Sequence, residues 1–135
     1  MTLRPLGHIE LPAHRSTGGF DHSDVHSSTN RIYVAHTAND SIDVIDCAKD
    51  RYLESIPGLS AVAGALVSEA RDLVFTTNRG ENTVSIFAPG DECSAFKIGV
   101  GVKPNGVAFD PKRGLLMVAN VGDPAISKFA YRVRC

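Results

Sequence analysis

The sequence repeats itself at a spacing of 42 residues, and this constrains the fold more than any other feature. "LVFTTNRGENTVSIF" (Leu73 to Phe87) aligns without a gap on "LLMVANVGDPAISKF" (Leu115 to Phe129). Asn78 meets Asn120, Gly80 meets Gly122, Ser85 meets Ser127 and Phe87 meets Phe129. One step earlier, "IYVAHTANDSIDVI" (Ile32 to Ile45) falls in the same register, and "GALV" (Gly64 to Val67) meets "GVAF" (Gly106 to Phe109). A period in this range means one supersecondary unit per repeat, with the core made by stacking neighbours.

The unit is built from strands. Its apolar runs are short, β-branched or aromatic, and alternate with period 2: Ile42 and Val44 against Ser41 and Asp43, Val84 and Ile86 against Thr83 and Ser85. Helical periodicity is absent. The spacing predicts strand A at about 22–27, 64–69 and 106–110, and strand B at 31–36, 73–78 and 115–120. Strand C follows at 41–46, 83–88 and 125–131, and strand D at 51–56 and 94–99. Asn30, Asp72 and Gly114 share one turn register, and these residue types tolerate left-handed backbone, so that turn calls for positive φ. Four strands per 40–45 residues is the spacing of a β-propeller blade. The expected fold is therefore all-β, with about three blades in an incomplete ring. The single domain divides into an N-terminal strand at 4–12, blade one at 20–58, blade two at 62–100, and blade three at 104–135 without its last strand.

The B strands read "YVAH" (Tyr33 to His36), "FTTN" (Phe75 to Asn78) and "MVAN" (Met117 to Asn120), and "KPNGVAFDP" (Lys103 to Pro111) precedes the third unit's turn. Over about residues 20–129 this resembles the YVTN-repeat (YncE-like) propeller family. The resemblance is specific for fold and weak for function, because many unlike activities share propellers. Blade one departs from the pattern: His36 replaces the motif Asn, Asp21-His22 stands at the register of Ala63-Gly64 and Asn105-Gly106, and Asp24 stands where Leu66 and Ala108 do.

Propellers protect their edges by closing, and three blades fall short of a ring. "LGHIELP" (Leu6 to Pro12) resembles the D strand "YLESIPG" (Tyr52 to Gly58), and in the family such a strand closes the last blade. Two readings follow. The chain is a truncated piece of a longer propeller, which the altered tail "KFAYRVRC" favours. Alternatively, two chains exchange N-terminal strands to make a six-bladed ring. Either reading leaves open blade edges and a tendency to self-associate.

Net charge is −1, from 14 basic and 15 acidic residues, so no nucleic-acid partner is expected. No run of about 18 apolar residues exists, so no membrane span is expected either. The N-terminus lacks a secretory pattern, and Cys47, Cys93 and Cys135 form no CxxC. Reduced thiols in the cytoplasm are the expectation, with Cys135 open to an adventitious intermolecular disulfide.

The stretch "GGFDHSDVH" (Gly18 to His26) carries the densest chemistry. In a propeller, strand A lines the channel, and the loops entering strand A share one mouth with the B–C loops. The register therefore sends Asp21, His22, His36, Asn78, Asn105 and Asn120 toward one ligand-binding face. Asp21, His22 and His36 are the metal candidates, since His and carboxylate ligands suit a divalent cation. The same three are the catalytic candidates, with a histidine titrating near neutrality and oriented by Asp21 or Asp24. Against both stands a structural role. WD-type propellers use a histidine here in a hydrogen-bonded network, so His22 is expected to meet Asp40 or Ser41. Asp24 is expected to be paired by His22 or His26 if buried. Asn78 and Asn120 are expected to stabilise their own turns, and His26 to face solvent. "GVGVKPNG" (Gly99 to Gly106) lacks the Lys-Ser/Thr and helix of a phosphate loop, and there is no Gly-x-Ser-x-Gly elbow. The leading expectation is a non-enzymatic scaffold that binds a protein or small molecule at this face. The alternative is a metal-dependent hydrolase or lyase.

Overall fold

A computed structural model describes residues 1–132. Among the described residues, eleven strands form three antiparallel sheets. The first holds β1 (Ser23–His26), β2 (Arg31–His36), β3 (Ser41–Asp46) and β4 (Arg51–Ile56) in that order. The second holds β5 (Val62–Ser68), β6 (Leu73–Asn78), β7 (Thr83–Ala88) and β8 (Asp91–Gly99). The third holds β9 (Pro104–Asp110), β10 (Leu115–Asn120) and β11 (Ala125–Ala130), with β11 an unpaired edge. Each sheet is a meander of sequential hairpins, as short strands with intervening turn residues dictate. Cys135 and the end of the tail lie outside the described residues.

The shared turn behaves as its residues require. Asn30, Asp72 and Gly114 all take positive φ, at 54°, 50° and 67°. Gly114 is the costless choice there, while Asn and Asp tolerate the left-handed region better than other side chains.

Period-2 alternation sends the two faces of the middle sheet into two cores. Val74 and Phe87 join Tyr33, Ala35, Val44, Leu59 and Val62 between blades one and two. Leu73, Phe75, Val84 and Ile86 join Leu116 and Val118 between blades two and three. Blade two is thus apolar on both faces and buried along all of β6. The outer face of blade three has no such cover. Met117 and Ile126 are exposed, and β11 reads mostly exposed along its length.

The segment expected as a strand at 4–12 pairs with no sheet among the described residues, and the first strand begins at Ser23. Sheet hydrogen bonding needs an open edge in reach, and residues 13–22 instead run across the mouth of blade one. There Asn39 holds both sides of the strap. Its Oδ1 accepts from Arg15 N–H (2.7 Å), and its Nδ2 donates to Ala13 O (3.0 Å).

Candidate functional site

The turns at the two ends of the antiparallel strands define two faces. The mouth carries the loops entering β1, β5 and β9 together with the β2–β3, β6–β7 and β10–β11 loops. Backbone and side-chain bonds stitch the blades there. His22 N–H donates to Ala63 O (3.1 Å), joining blades one and two. Thr77 Oγ1 donates to Asn105 O (2.7 Å), joining blades two and three.

The residues nominated from sequence divide into two groups. Asp21 and His22 meet at the mouth, with Asp21 Oδ1 2.8 Å from His22 Nδ1. Arg79 from the β6–β7 loop approaches the other Asp21 oxygen at 3.7 Å. The His22 side chain is 58% exposed. It lines a concavity of about 250 Å3 with Asp24, Asn105 and Gly106. Asn105 Oδ1 is buried there without a partner.

His36, Asn78 and Asn120 are instead consumed within their own blades. Asn78 is fully buried and donates through Nδ2 to Ser85 Oγ (2.9 Å) and Thr83 Oγ1 (3.0 Å). Asn120 donates to Ser127 Oγ (3.0 Å) and Ala125 O (3.2 Å), while its Oδ1 is left unpartnered. At the same register in blade one, His36 and Asp43 replace the Asn–Ser pair. Both are fully buried, with Nδ1 of His36 2.7 Å from Asp43 Oδ2. Asp43 Oδ1 accepts from Ser55 Oγ (2.7 Å), and that hydroxyl lies 2.7 Å from Tyr52 Oη.

A carboxylate only accepts, so Nδ1 of His36 carries the proton. In the neutral ring Nε2 then accepts from Nδ1–H of His14, 2.7 Å away in the strap. Phe20 closes over the imidazole, with ring centroids 4.2 Å apart. The network chain His14–His36–Asp43–Ser55–Tyr52 therefore ties the strap to the sheet.

Several expectations are corrected by this geometry. Asp21, His22 and His36 do not converge as a three-ligand set, because both nitrogens of His36 are engaged elsewhere. His22 meets Asp21 and Ala63 O rather than Asp40 or Ser41, because the β2 end places His36, not His22, beside the β3 carboxylate. Asp40 instead accepts from Ala61 N–H of the β4–β5 connection (2.7 Å). Asp24 is satisfied by backbone N–H groups of Val67 and Val25, both at 2.8 Å, with no histidine needed. His26 is buried, not solvent-facing, since the β5–β6 turn of the next blade folds over it. Asp43, Arg79 and His14 were not nominated from sequence. Asp43 had a signal, since it occupies the register of Ser85 and Ser127, a step of 42 from each to the next.

No family model and no curated protein matches the chain. Solved structures do. Hydrazine synthase of Kuenenia stuttgartiensis superposes with a TM-score of 0.76 at 17% identity, covering 87% of this chain and 35% of that one. Two 6-phosphogluconolactonase-like chains superpose with TM-scores of 0.69 at 16% identity over 84% of this chain. They come from Bacteroides fragilis and Bacteroides uniformis, and 35% and 36% of their lengths are covered. The chain therefore spans about a third of each of these structures. The fold is that of propeller blades. Its three sheets are an open portion of such a fold.

Proposed function

We propose that this chain is a three-blade set of a YVTN-type propeller and acts as a binding scaffold, seating a protein segment or small molecule at the mouth. One observation carries this reading. The polar positions that recur at the mouth, His36, Asn78 and Asn120, are spent on intrablade hydrogen bonds. Asp21, His22 and Arg79 remain as accessible recognition groups beside the Asn105 concavity. The open edge of β11 supports self-association or completion by further blades, and the free thiols Cys47 and Cys93 support a reducing, cytoplasmic setting.

A second reading rests on the exposed His22–Asp21 pair, which has the geometry of an oriented general base. Two structural neighbours carry a lactonase name, so lactone hydrolysis is the activity to test. The deciding experiment uses protein whose solution mass has been fixed by light scattering. It combines a 6-phosphogluconolactone hydrolysis assay with NMR shift mapping against sugar phosphates and short peptides. The scaffold reading expects no turnover, and perturbations confined to Asp21, His22, Arg79 and Asn105. Turnover that disappears in His22→Ala would replace it with the enzymatic one.

A further inference from the structure

A mixed histidine and carboxylate cluster lies at the junction of blades one and two, on the face opposite the mouth. His26 ends β1, and Glu69 and Asp72 bracket the β5–β6 turn. The imidazole is 2% exposed, and its Nε2 lies 3.1 Å from Asp72 Oδ1 and 3.6 Å from Glu69 Oε2. One ligand atom from each of the three residues falls within 4.8 Å of the others. A concavity of about 290 Å3 opens onto the cluster, lined by His26, Ser28, Thr29, Asp72, Ala88 and Pro89.

The surroundings orient these groups. Thr29 Oγ1 lies 2.7 Å from His26 Nδ1 and 3.4 Å from His26 O. The hydroxyl donates to Nδ1, which leaves Nε2–H to donate to Asp72 Oδ1, since a carboxylate only accepts. Nε2 thus points at both carboxylates, and a divalent cation would replace its proton there, with Nδ1–H then donating to the Thr29 hydroxyl. Glu69 is held as an anion. Partial desolvation works against its charge, but hydrogen bonds from Ser28 Oγ and from the Ser27 and Ser28 N–H groups outweigh that. Together they keep its carboxyl below the usual range.

The fold itself does not demand this cluster. Forty-two residues on, the junction of blades two and three has Ser68 in place of His26, Pro111 in place of Glu69 and Gly114 in place of Asp72. That junction packs over its own core, and Arg71 reaches across it to Pro111 O where the first junction has the histidine and carboxylates.

We propose that His26, Glu69 and Asp72 bind a first-row divalent transition-metal ion of the zinc class, which pins blade one to blade two. Imidazole nitrogen and carboxylate oxygen both bind zinc, with bonds of about 2.0–2.2 Å, and a tetrahedron of such bonds has edges of roughly 3.4 Å. The two nitrogen–oxygen separations, 3.1 and 3.6 Å, bracket that edge. Water completes the shell from the concavity. Calcium wants six to eight oxygens, which three residues with a nitrogen among them do not supply.

The test is calorimetric titration of the metal-stripped full chain with Zn2+, under reductant, alongside thermal melts in Zn2+, Mg2+ and Ca2+. One ion should bind and raise the melting temperature, because it binds the folded state selectively, with no comparable rise from Mg2+ or Ca2+. Glu69→Gln and Asp72→Asn change exposed side chains and so preserve folding; each should weaken Zn2+ binding by about tenfold or more. His26→Gln should abolish it. Absence of Zn2+ binding, or unchanged affinity in both carboxylate variants, overturns the proposal.

Discussion

The His36–Asp43 pair offers a test in which the repeat supplies its own control. Asp43→Ser removes an acceptor held at 2.7 Å by both His36 Nδ1 and Ser55 Oγ, in a spot with no solvent access. Charge-assisted bonds contribute roughly 1.5–3 kcal/mol each, and an orphaned buried donor costs roughly 1–3 kcal/mol. Ser55 keeps Tyr52 as a partner, so most of the loss falls on His36, and about 3 kcal/mol is expected. His36→Asn leaves a buried carboxylate short of a donor and loses the Phe20 ring contact, for a further loss of about 3 kcal/mol. The double variant recreates the Asn–Ser pair that blades two and three already use, and should cost only about 1–2 kcal/mol for its smaller side chains. The sum of the single losses should thus exceed the double by about 3 kcal/mol or more, the signature of direct coupling. Urea unfolding followed by far-ultraviolet circular dichroism measures this, provided all four proteins share one m-value. Additivity within about 0.5 kcal/mol would refute the view that the two pairs are interchangeable solutions to one packing problem.

The glycines at one register separate by environment. A Cβ on Gly64 would sit 2.5 Å from Thr77 Oγ1 and 2.7 Å from Asn105 O, whereas on Gly106 it would meet Ala119 Cβ at 3.7 Å. Gly64→Ala should therefore destabilise by about 1–3 kcal/mol in urea melts, and Gly106→Ala should leave the midpoint nearly unchanged. Burial of Tyr33 pushes its phenol up to about 12 and leaves its hydroxyl without a partner. The unfolded chain loses that proton first, so stability should fall as pH rises from about 10 toward about 12. Tyr33→Phe should flatten that limb and add about 1 kcal/mol at neutral pH. Asp46 and Asp110 are lowered by turn hydrogen bonds, Asp46 first by Lys49 N–H and Asp110 first by the Arg113 side chain. Their contribution is present above the ordinary aspartate range and lost as pH falls from that range through the lowered folded-state values. Asp46→Asn with Asp110→Asn should shallow the acid limb of a stability–pH curve.

Repetition made the fold legible. The strands fall within three residues of those expected, because a gapless register of alternating residues leaves little freedom in where a meander can turn. The site was harder to read. The register puts His36, Asn78 and Asn120 at the ends of β2, β6 and β10, where the structure has them. It could not show that their side chains turn inward to Asp43, Ser85 and Ser127. Sidedness is decided by the partner across the hairpin, and Asp43 looks like a solvent-facing position when β3 is read alone. His26 misled for a related reason. A histidine closing a short strand looks exposed until the neighbouring blade's turn is laid over it, and that contact spans 46 residues.

The two-cored middle blade sets the order in which the molecule comes apart. Blade one and blade three each lean on blade two and bury nothing large against each other, so the chain behaves as a row of three coupled units. Loss of an end unit breaks one interface, while loss of the centre breaks both. Fraying must then start at the ends, with blade three first because its outer face and the β11 edge are uncovered. Amide hydrogen exchange should show that gradient directly: fastest in β11, slowest in β6, where protection approaches the global unfolding free energy. A partner that completes the arc would cap the weak end and steady the mouth from a distance, without touching it.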